Sequence, residues 1–205
     1  MTHPFLNTEQ TSVKICGLVD EMHVDVAIGA GADAIGFMFV EESPRFITRE
    51  LANRLLLQIP DYVVPIAVLR NYPDLSDFDD WPGMLQLCGN ETHAEIATSP
   101  CPVIKAFKWN KDDYSVWKDA PIKGVLIDGS DGGMGNTFDL NDVAKNVKAS
   151  QEGLIIAGGL NASNVAKVIS RLQPAAVDVS SGVEIRRGEK CPEKICEFIN
   201  VVKSM

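Results

Sequence analysis

The stretch Val13-Lys14-Ile15-Cys16-Gly17 decides the fold, because it sets the pattern that the rest of the chain repeats. This apolar run is long enough for one buried strand, too short for a buried helix, and stops at a glycine. Side chains on a strand alternate between faces, so Lys14 and Cys16 share the inner face of a first strand, with the thiol at its carboxyl end. The pattern taken alone also fits a cysteine that fills space, as most free cysteines do.

Short runs rich in Val and Ile recur along the chain and are separated by segments with helical periodicity. The predicted strands cover residues 13–16, 34–39, 63–69, 84–87, 103–107, 124–127, 154–157 and 176–179. The clearest predicted helices cover residues 20–30, 48–58, 140–149, 162–172 and 192–202. Side chains able to cap the first turns of four of these helices are Asp20, Thr48, Asp139 and Asn161.

Strands that alternate with helices indicate a parallel sheet covered by helices. Eight such units in 205 residues predict a single α/β domain, a (β/α)8 barrel over residues 13–205 preceded by a loose polar leader, residues 1–12. An open doubly wound sheet is the alternative, but the first turn lacks its G-x-G-x-x-G motif. Residues 71–83 hold two prolines and four aspartates, and residues 90–102 are few, so the third and fourth helices are predicted to be short.

The composition limits the kinds of partner that the chain can bind. Its net charge is −9, and its basic residues form no stripe, which argues against nucleic acid but permits an anionic small molecule. No apolar run is long enough to span a membrane, and the amino-terminal segment lacks a signal peptide. The five cysteines form no CxxC pair and have no histidine at zinc spacing, so we expect reduced thiols, no metal and a cytoplasmic protein.

Active sites of such barrels lie in the loops at the carboxyl ends of the strands. Two consecutive loops of this kind are rich in glycine and serine, and they contain Gly158, Gly159, Ser180, Ser181 and Gly182. Glycines let backbone N–H groups approach an anion closely, so these loops predict a phosphate site, although glycine also serves simply to make turns.

Two further loop residues have the chemistry of a site. Arg45 follows a proline and can clamp a carboxylate or a phosphate, or else form a surface salt bridge. Asp128 ends a strand before the glycine-rich residues 129–137, and it can act as a general acid or merely cap that loop. We expect none of the three histidines to be catalytic.

Short motifs over the whole chain after the leader resemble those of the phosphoribosylanthranilate isomerase family of tryptophan biosynthesis. The matching motifs are Lys14-Ile15-Cys16-Gly17, Gly29-Ala30-Gly31-Ala32-Asp33 with Gly36-Phe37, Ser43-Pro44-Arg45, Leu85-Gln86-Leu87, Val103-Ile104-Lys105-Ala106, Gly132-Gly133-Met134-Gly135 with Phe138-Asp139, Ala157-Gly158-Gly159-Leu160 and Val177-Asp178-Val179-Ser180-Ser181-Gly182-Val183-Glu184. The resemblance implies a barrel of the ribulose-phosphate-binding type. It also implies an Amadori rearrangement of N-(5-phosphoribosyl)anthranilate to 1-(2-carboxyphenylamino)-1-deoxyribulose 5-phosphate, with no metal or organic cofactor.

The same resemblance implies a role for each site residue. Cys16 matches the general base, and its pKa must be lowered to give a thiolate, with help from Lys14. Asp128 matches the general acid, Arg45 the group that holds the anthranilate carboxylate, and Asp178 a carboxylate near the sugar hydroxyls. Cys88, which is expected to line the substrate site, stands where the family usually has a histidine close to the active site, and Cys191 stands where an aspartate commonly opens the last helix.

Two other functions remain open at this stage. A related sugar-phosphate aldose–ketose isomerase on the same barrel would be expected to have an aspartate in place of Cys16. A catalytically silent barrel that only binds a phosphorylated ligand is favoured by Cys88 alone. The oligomeric state, monomer or homodimer, is not decided by the sequence.

Overall fold

The computed structural model describes residues 4–6, 10–118, 120–129, 140–147 and 153–205. Eight parallel strands close into a barrel in chain order, and β1 pairs with both β2 and β8. The strands are β1 Ser12–Cys16, β2 Ala34–Met38, β3 Val64–Leu69, β4 Met84–Leu87, β5 Val103–Lys108, β6 Gly124–Asp128, β7 Leu154–Ala157 and β8 Ala176–Val179. The predicted (β/α)8 barrel is therefore confirmed, and the open sheet is excluded.

Helices cover the outside of the barrel between the strands. They are α1 Glu21–Ala30, α2 Arg49–Leu56, α3 His93–Ala97, α4 Lys111–Trp117, α5 Leu140–Asn146, α6 Val165–Leu172 and α7 Pro192–Lys203. A short antiparallel hairpin, formed by β9 Glu184–Arg186 and β10 Glu189–Lys190, lies between β8 and α7. No helix among the described residues is both long and apolar enough to span a membrane.

The helix starts agree with the predicted caps in two cases. Asp20 accepts a hydrogen bond from the N–H of His23, and Thr48 accepts one from the N–H of Leu51. Asn161 instead begins a turn that precedes α6, so the prediction that α6 starts there is wrong. Asp139, and residues 148–149 of the predicted fifth helix, lie outside the described residues.

The two connections after β3 and β4 contain little helix, as the sequence predicts. The first contains one 3-10 turn, Leu75–Phe78, and the second contains only the five-residue α3. Aromatic rings cover the barrel there instead, because Phe78 and Trp81 make edge-to-face contacts with each other and with Phe39. The indole of Trp81 also donates to the Pro65 carbonyl at 3.2 Å, which ties this cover to β3.

The segment before β1 belongs to the barrel at one point, which differs from the expectation of a loose leader. Phe5 is 0 % exposed and joins the apolar cluster that fills the barrel interior. Leu6 lies beside Gly124, the first residue of β6, so this 3-10 turn lies at the amino-terminal end of the barrel. Residues 1–3 and 7–9 of the leader lie outside the described residues.

We expect Phe5→Ala to lower the free energy of unfolding by about 3 kcal/mol, since it removes a fully buried aromatic side chain and leaves a cavity. Urea denaturation measures the loss. Leu57→Ala is the matched control, because Leu57 is 88 % exposed and its truncation should change stability by less than about 0.5 kcal/mol. Equal effects of the two substitutions would show that the turn at Phe5 contributes nothing to barrel stability.

Candidate active site

Lys14 and Cys16 face the interior at the seam where the barrel closes. A Cβ atom built on Gly36 would lie 2.9 Å from Cys16 Sγ and 3.0 Å from Lys14 Nζ, so the thiol and the ammonium share the space beside this glycine. Cys16 is 3 % exposed and Lys14 is completely buried. The prediction that both side chains lie on the inner face of the first strand is therefore confirmed.

Asp178 on β8 is the main partner of Lys14. The two residues are in register across the seam, and Lys14 Nζ donates to Asp178 Oδ1 at 2.9 Å. Burial lowers the pKa of Lys14, but the Asp178 carboxylate and Cys16 raise it above its ordinary value overall, so the ammonium stays charged. Asp178 is therefore paired with Lys14 in the structure.

Burial dominates the protonation of the thiol. It raises the pKa of Cys16, while Lys14 lowers it and Asp178 raises it, and the pKa of the thiol stays above its ordinary value. The expectation that the site by itself lowers the pKa of this thiol is wrong. The reason is that desolvation outweighs the attraction of Lys14, which Asp178 already partly neutralises.

Arg45 is held by the buried carboxylate of Glu184. Its Nε and one terminal nitrogen donate to the two carboxylate oxygens of Glu184, at 2.6 and 2.8 Å. The side chain also packs against Gly17, where a Cβ atom would lie 2.5 Å from Arg45 Cδ. Arg45 therefore forms a salt bridge, as one of the two predicted roles requires, but with a buried carboxylate and not at the surface. The second terminal nitrogen, Nη1, makes no hydrogen bond with any described residue.

Lys190 joins the same cluster from β10. Its Nζ donates to Glu184 Oε1 at 3.0 Å and to the Ser180 carbonyl at 2.9 Å. Ser180 Oγ in turn donates to the Cys16 carbonyl at 3.1 Å. Burial raises the pKa of Glu184, but the hydrogen bond from Arg45 and the charge of Lys190 lower it to about 2 overall. The carboxylate therefore stays ionised between its two cations.

The predicted phosphate loops lie side by side. Gly158 and Gly159 have φ of 87° and 66°, in the left-handed region that favours glycine. A Cβ atom on Gly182 would lie 1.8 Å from the Leu160 carbonyl oxygen, so only glycine lets the loop after β8 approach the loop after β7 this closely. Ser180 and Ser181 lead into this contact.

Asp128 is the last residue of β6, and it is half-buried at the carboxyl-terminal end of the barrel. It is in register with Lys108 on β5 and with Ala157 on β7, directly before the predicted phosphate loop. The general acid predicted from the sequence therefore lies at the same end of the barrel as Cys16. Residues 130–137 of the glycine-rich loop that follows lie outside the described residues.

Cys88 follows β4 and is half-buried. Gln86 Nε2 donates to its sulfur at 3.4 Å, and the other amide atom of Gln86, Oε1, is buried without a hydrogen-bond partner among the described residues. Burial raises the pKa of Cys88 to about 12, so it is a neutral thiol.

A second buried ion pair holds the loop that carries Cys88. Lys105 Nζ donates to Glu91 Oε2 and to the Gly89 carbonyl, both at 2.6 Å. Glu91 also accepts the N–H groups of Asn71 and Gly89, at 2.8 and 2.9 Å. Because Lys105 and Glu91 are each about 5 % exposed or less, this pair fixes the loops after β3 and β4.

Sequence reasoning assigned no role to Glu184, Lys190, Glu91 or Lys105. The sequence does contain one indication of the role of Lys105, because this residue interrupts the apolar run of β5 as Lys14 interrupts that of β1. The partners were not readable, since each carboxylate sits in a loop whose path the strand pattern does not specify. The described residues contain no group of three or more His, Cys, Asp or Glu side chains placed to hold a metal ion.

We expect Lys105→Met to lower the free energy of unfolding by about 3 kcal/mol, because it leaves the Glu91 charge buried without its partner. Chemical denaturation measures this loss, and Lys108→Met, an exposed lysine on the same strand, is the control. The double substitution Lys105→Met with Glu91→Gln should recover part of the loss. If Lys105→Met were as stable as the control, the pair would not hold these loops.

Comparisons with known proteins agree with this geometry. A family model described as N-(5'-phosphoribosyl)anthranilate (PRA) isomerase matches residues 13–201. The chain is 36 % identical to N-(5'-phosphoribosyl)anthranilate isomerase from Chromohalobacter salexigens, over 98 % of this chain and 97 % of that protein.

Solved structures give the same result. The crystal structure of phosphoribosyl anthranilate isomerase from Thermotoga maritima superposes with a TM-score of 0.86 at 31 % identity, over 96 % of this chain and 100 % of that one. A second structure of such an isomerase, in complex with reduced 1-(o-carboxyphenylamino)-1-deoxyribulose 5-phosphate, gives a TM-score of 0.82 at 30 % identity, with the same coverage.

Proposed function

Because the chain belongs to the N-(5'-phosphoribosyl)anthranilate isomerase family, we propose that Cys16 and Asp128 carry the two proton transfers of that family's reaction. The chain is an isomerase of tryptophan biosynthesis. It converts N-(5-phosphoribosyl)anthranilate into 1-(2-carboxyphenylamino)-1-deoxyribulose 5-phosphate. The observation that supports the residue roles best is the inward thiol of Cys16 beside the ammonium of Lys14, at the carboxyl end of β1.

Asp128 acts first, as the general acid. Its carboxyl proton passes to the furanose ring oxygen while the bond between that oxygen and C1 breaks. The lone pair of the anthranilate nitrogen forms a C1=N double bond, so the open-chain intermediate is a cationic iminium. The position of Asp128 at the carboxyl-terminal end of the barrel, next to the phosphate loop after β7, supports this role.

Cys16 acts second, as the general base. The thiolate removes the proton on C2, and the electron pair left behind forms the C1=C2 bond of an enolamine. Burial holds the pKa of Cys16 up, so the thiolate depends on positive charge nearby. Lys14 and the iminium of the substrate both contribute to this charge. Tautomerisation moves a proton to C1 and leaves the C2 ketone, with no atom gained or lost.

The other predicted residues bind the two ends of the substrate. Arg45 holds the anthranilate carboxylate through Nη1, while Glu184 fixes the plane of its guanidinium. Gly158, Gly159, Ser180, Ser181 and Gly182 hold the phosphate. Lys14, Asp178 and Cys88 line the space between these two ends.

The partner of the site is the sugar-phosphate substrate. We infer that the reaction takes place in the cytoplasm. Cys16, Cys88, Cys101, Cys191 and Cys196 are free thiols, which fits a reducing compartment. A solved Thermotoga maritima relative is described as a dimeric enzyme from which monomers were generated. A monomer and a homodimer are both compatible with a site built from one chain.

We expect Cys16→Ser to reduce kcat by about a thousandfold with the fold intact, since a general base contributes about 10²–10⁴ and a hydroxyl is a far weaker acid than a thiol. Steady-state kinetics and a melting curve measure the two quantities. Cys196→Ser, a change in a half-buried thiol on α7, is the control and should keep normal kcat. A near-normal kcat in Cys16→Ser would remove the thiol from the mechanism.

We expect Asp128→Asn to reduce kcat by a similar factor of about 10³ while KM changes little, because the amide cannot donate the proton that opens the ring. Asp25→Asn, at an exposed position on α1, controls for the loss of one carboxylate. If KM rose and kcat stayed normal, Asp128 would be a binding residue and not the acid.

A further inference from the structure

Lys190 is a buried cation that contacts two residues of the site, Ser180 and Glu184. It is 4 % exposed, although it lies on a two-residue strand of a surface hairpin. Its Nζ donates to the Ser180 carbonyl at 2.9 Å, to Ser180 Oγ at 3.3 Å and to Glu184 Oε1 at 3.0 Å. Burying an ammonium group is costly, and a surface lysine on a hairpin has no structural need to point inward.

Each contact of Lys190 leads to a group with a proposed function. Ser180 belongs to the phosphate loop, and its hydroxyl donates to the carbonyl of Cys16 at 3.1 Å. Glu184 fixes Arg45 through two hydrogen bonds. A single ammonium therefore lies at the junction of the phosphate loop, the strand end that carries the thiol, and the arginine that faces the other end of the substrate.

We propose that Lys190 is a positioning residue for the isomerase reaction: its ammonium holds Ser180 and Glu184 around Cys16 and supplies the excess positive charge that a thiolate there requires. This proposal rests on the proposed role of Cys16 as the base. It assigns a function to a lysine that none of the sequence patterns singled out.

The charges around the thiol support this assignment. The charged groups that face Cys16 are Lys14 on β1, Asp178 on β8, Lys190 on β10 and Arg45 in the loop after β2. Three cations, Lys14, Arg45 and Lys190, stand against two carboxylates, because Asp178 pairs with Lys14 while Arg45 and Lys190 share Glu184. One positive charge is therefore in excess, and Cys88, which faces Cys16 from the loop after β4, is a neutral thiol.

The excess of positive charge determines how removal of Lys190 changes the pKa of Cys16. Lys190 lowers the pKa of Cys16, and the loss of its charge disfavours the thiolate. Lys190→Met should therefore raise the pKa of Cys16 by about one unit, the lower end of what a neighbouring charge produces. The acidic limb of the kcat/KM profile should move to higher pH by the same amount. Lys190→Gln keeps an N–H donor for Ser180 and loses the charge, so it should give the same shift even if the methionine variant folds poorly.

The thiol is titrated directly in the protein without substrate, by the ultraviolet absorbance of the thiolate, with Cys16→Ser as the baseline for the other four cysteines. Lys194→Met is the matched control. Lys194 is an exposed lysine that donates to the carbonyl of Glu184 at 2.7 Å, so it anchors the same hairpin without touching Ser180.

A shift of the thiol titration in both Lys190 variants but not in Lys194→Met supports the proposal. An unchanged titration in the Lys190 variants overturns it, as does an equal shift in Lys194→Met, which would mean that only the integrity of the hairpin matters. If the thiol titration moves while the kcat/KM profile stays in place, the coupling of Lys190 to the thiol stands. The role of Cys16 as the base is then wrong.

Discussion

The buried ion pair between Lys14 and Asp178 is the constraint on which the site depends. A barrel closes only when its first and last strands pair, and here the seam between β1 and β8 places these two side chains in register inside the barrel. Neither charge tolerates burial alone, so the register that joins them is favoured over a register slipped by one residue, which would turn one side chain outward and leave the other buried without its partner. The pair therefore stabilises the closed barrel and also places two charges next to the thiol of Cys16.

The chemistry of the site follows from how the remaining charges are neutralised. Arg45 and Lys190 converge on Glu184, whose pKa is lowered to about 2, so this carboxylate is an anion at neutral pH. One cation remains in excess on the side of the barrel that holds Cys16. In the proposed mechanism, the buried thiol becomes a thiolate when the cationic iminium of the substrate adds a second positive charge, so the base forms at the step that needs it.

The sequence predicted the barrel well, because parallel strands buried on both faces leave continuous runs of Val and Ile between helical segments. The strand bounds agree to within one residue, and the inward direction of Lys14 and Cys16 follows from alternation alone. The burial of Phe5 could not be predicted, since a short apolar turn in a polar segment carries no periodicity. The partner of Arg45 could not be predicted from the sequence either, because Glu184 lies 139 residues away in a hairpin that the strand pattern does not specify. The raised pKa of Cys16 depends on how deeply the strand end is buried, which composition does not encode.

Cys88 is one of two residues at which the sequence comparison predicts a departure from the family, and its environment gives that departure a physical meaning. Burial raises the pKa of Cys88 to about 12, and Gln86 donates to its sulfur, so the side chain is neutral. An anion at this position would attract the same excess cation that Cys16 needs, whereas a neutral thiol leaves that charge available. A histidine there would also add hydrogen-bonding atoms, and Gln86 Oε1, buried without a partner among the described residues, is the kind of acceptor that such a ring N–H would satisfy. Under the proposed roles, a cysteine at this position keeps the electrostatic balance of the site, and what it gives up relative to a histidine is a hydrogen bond to Gln86 and not the base.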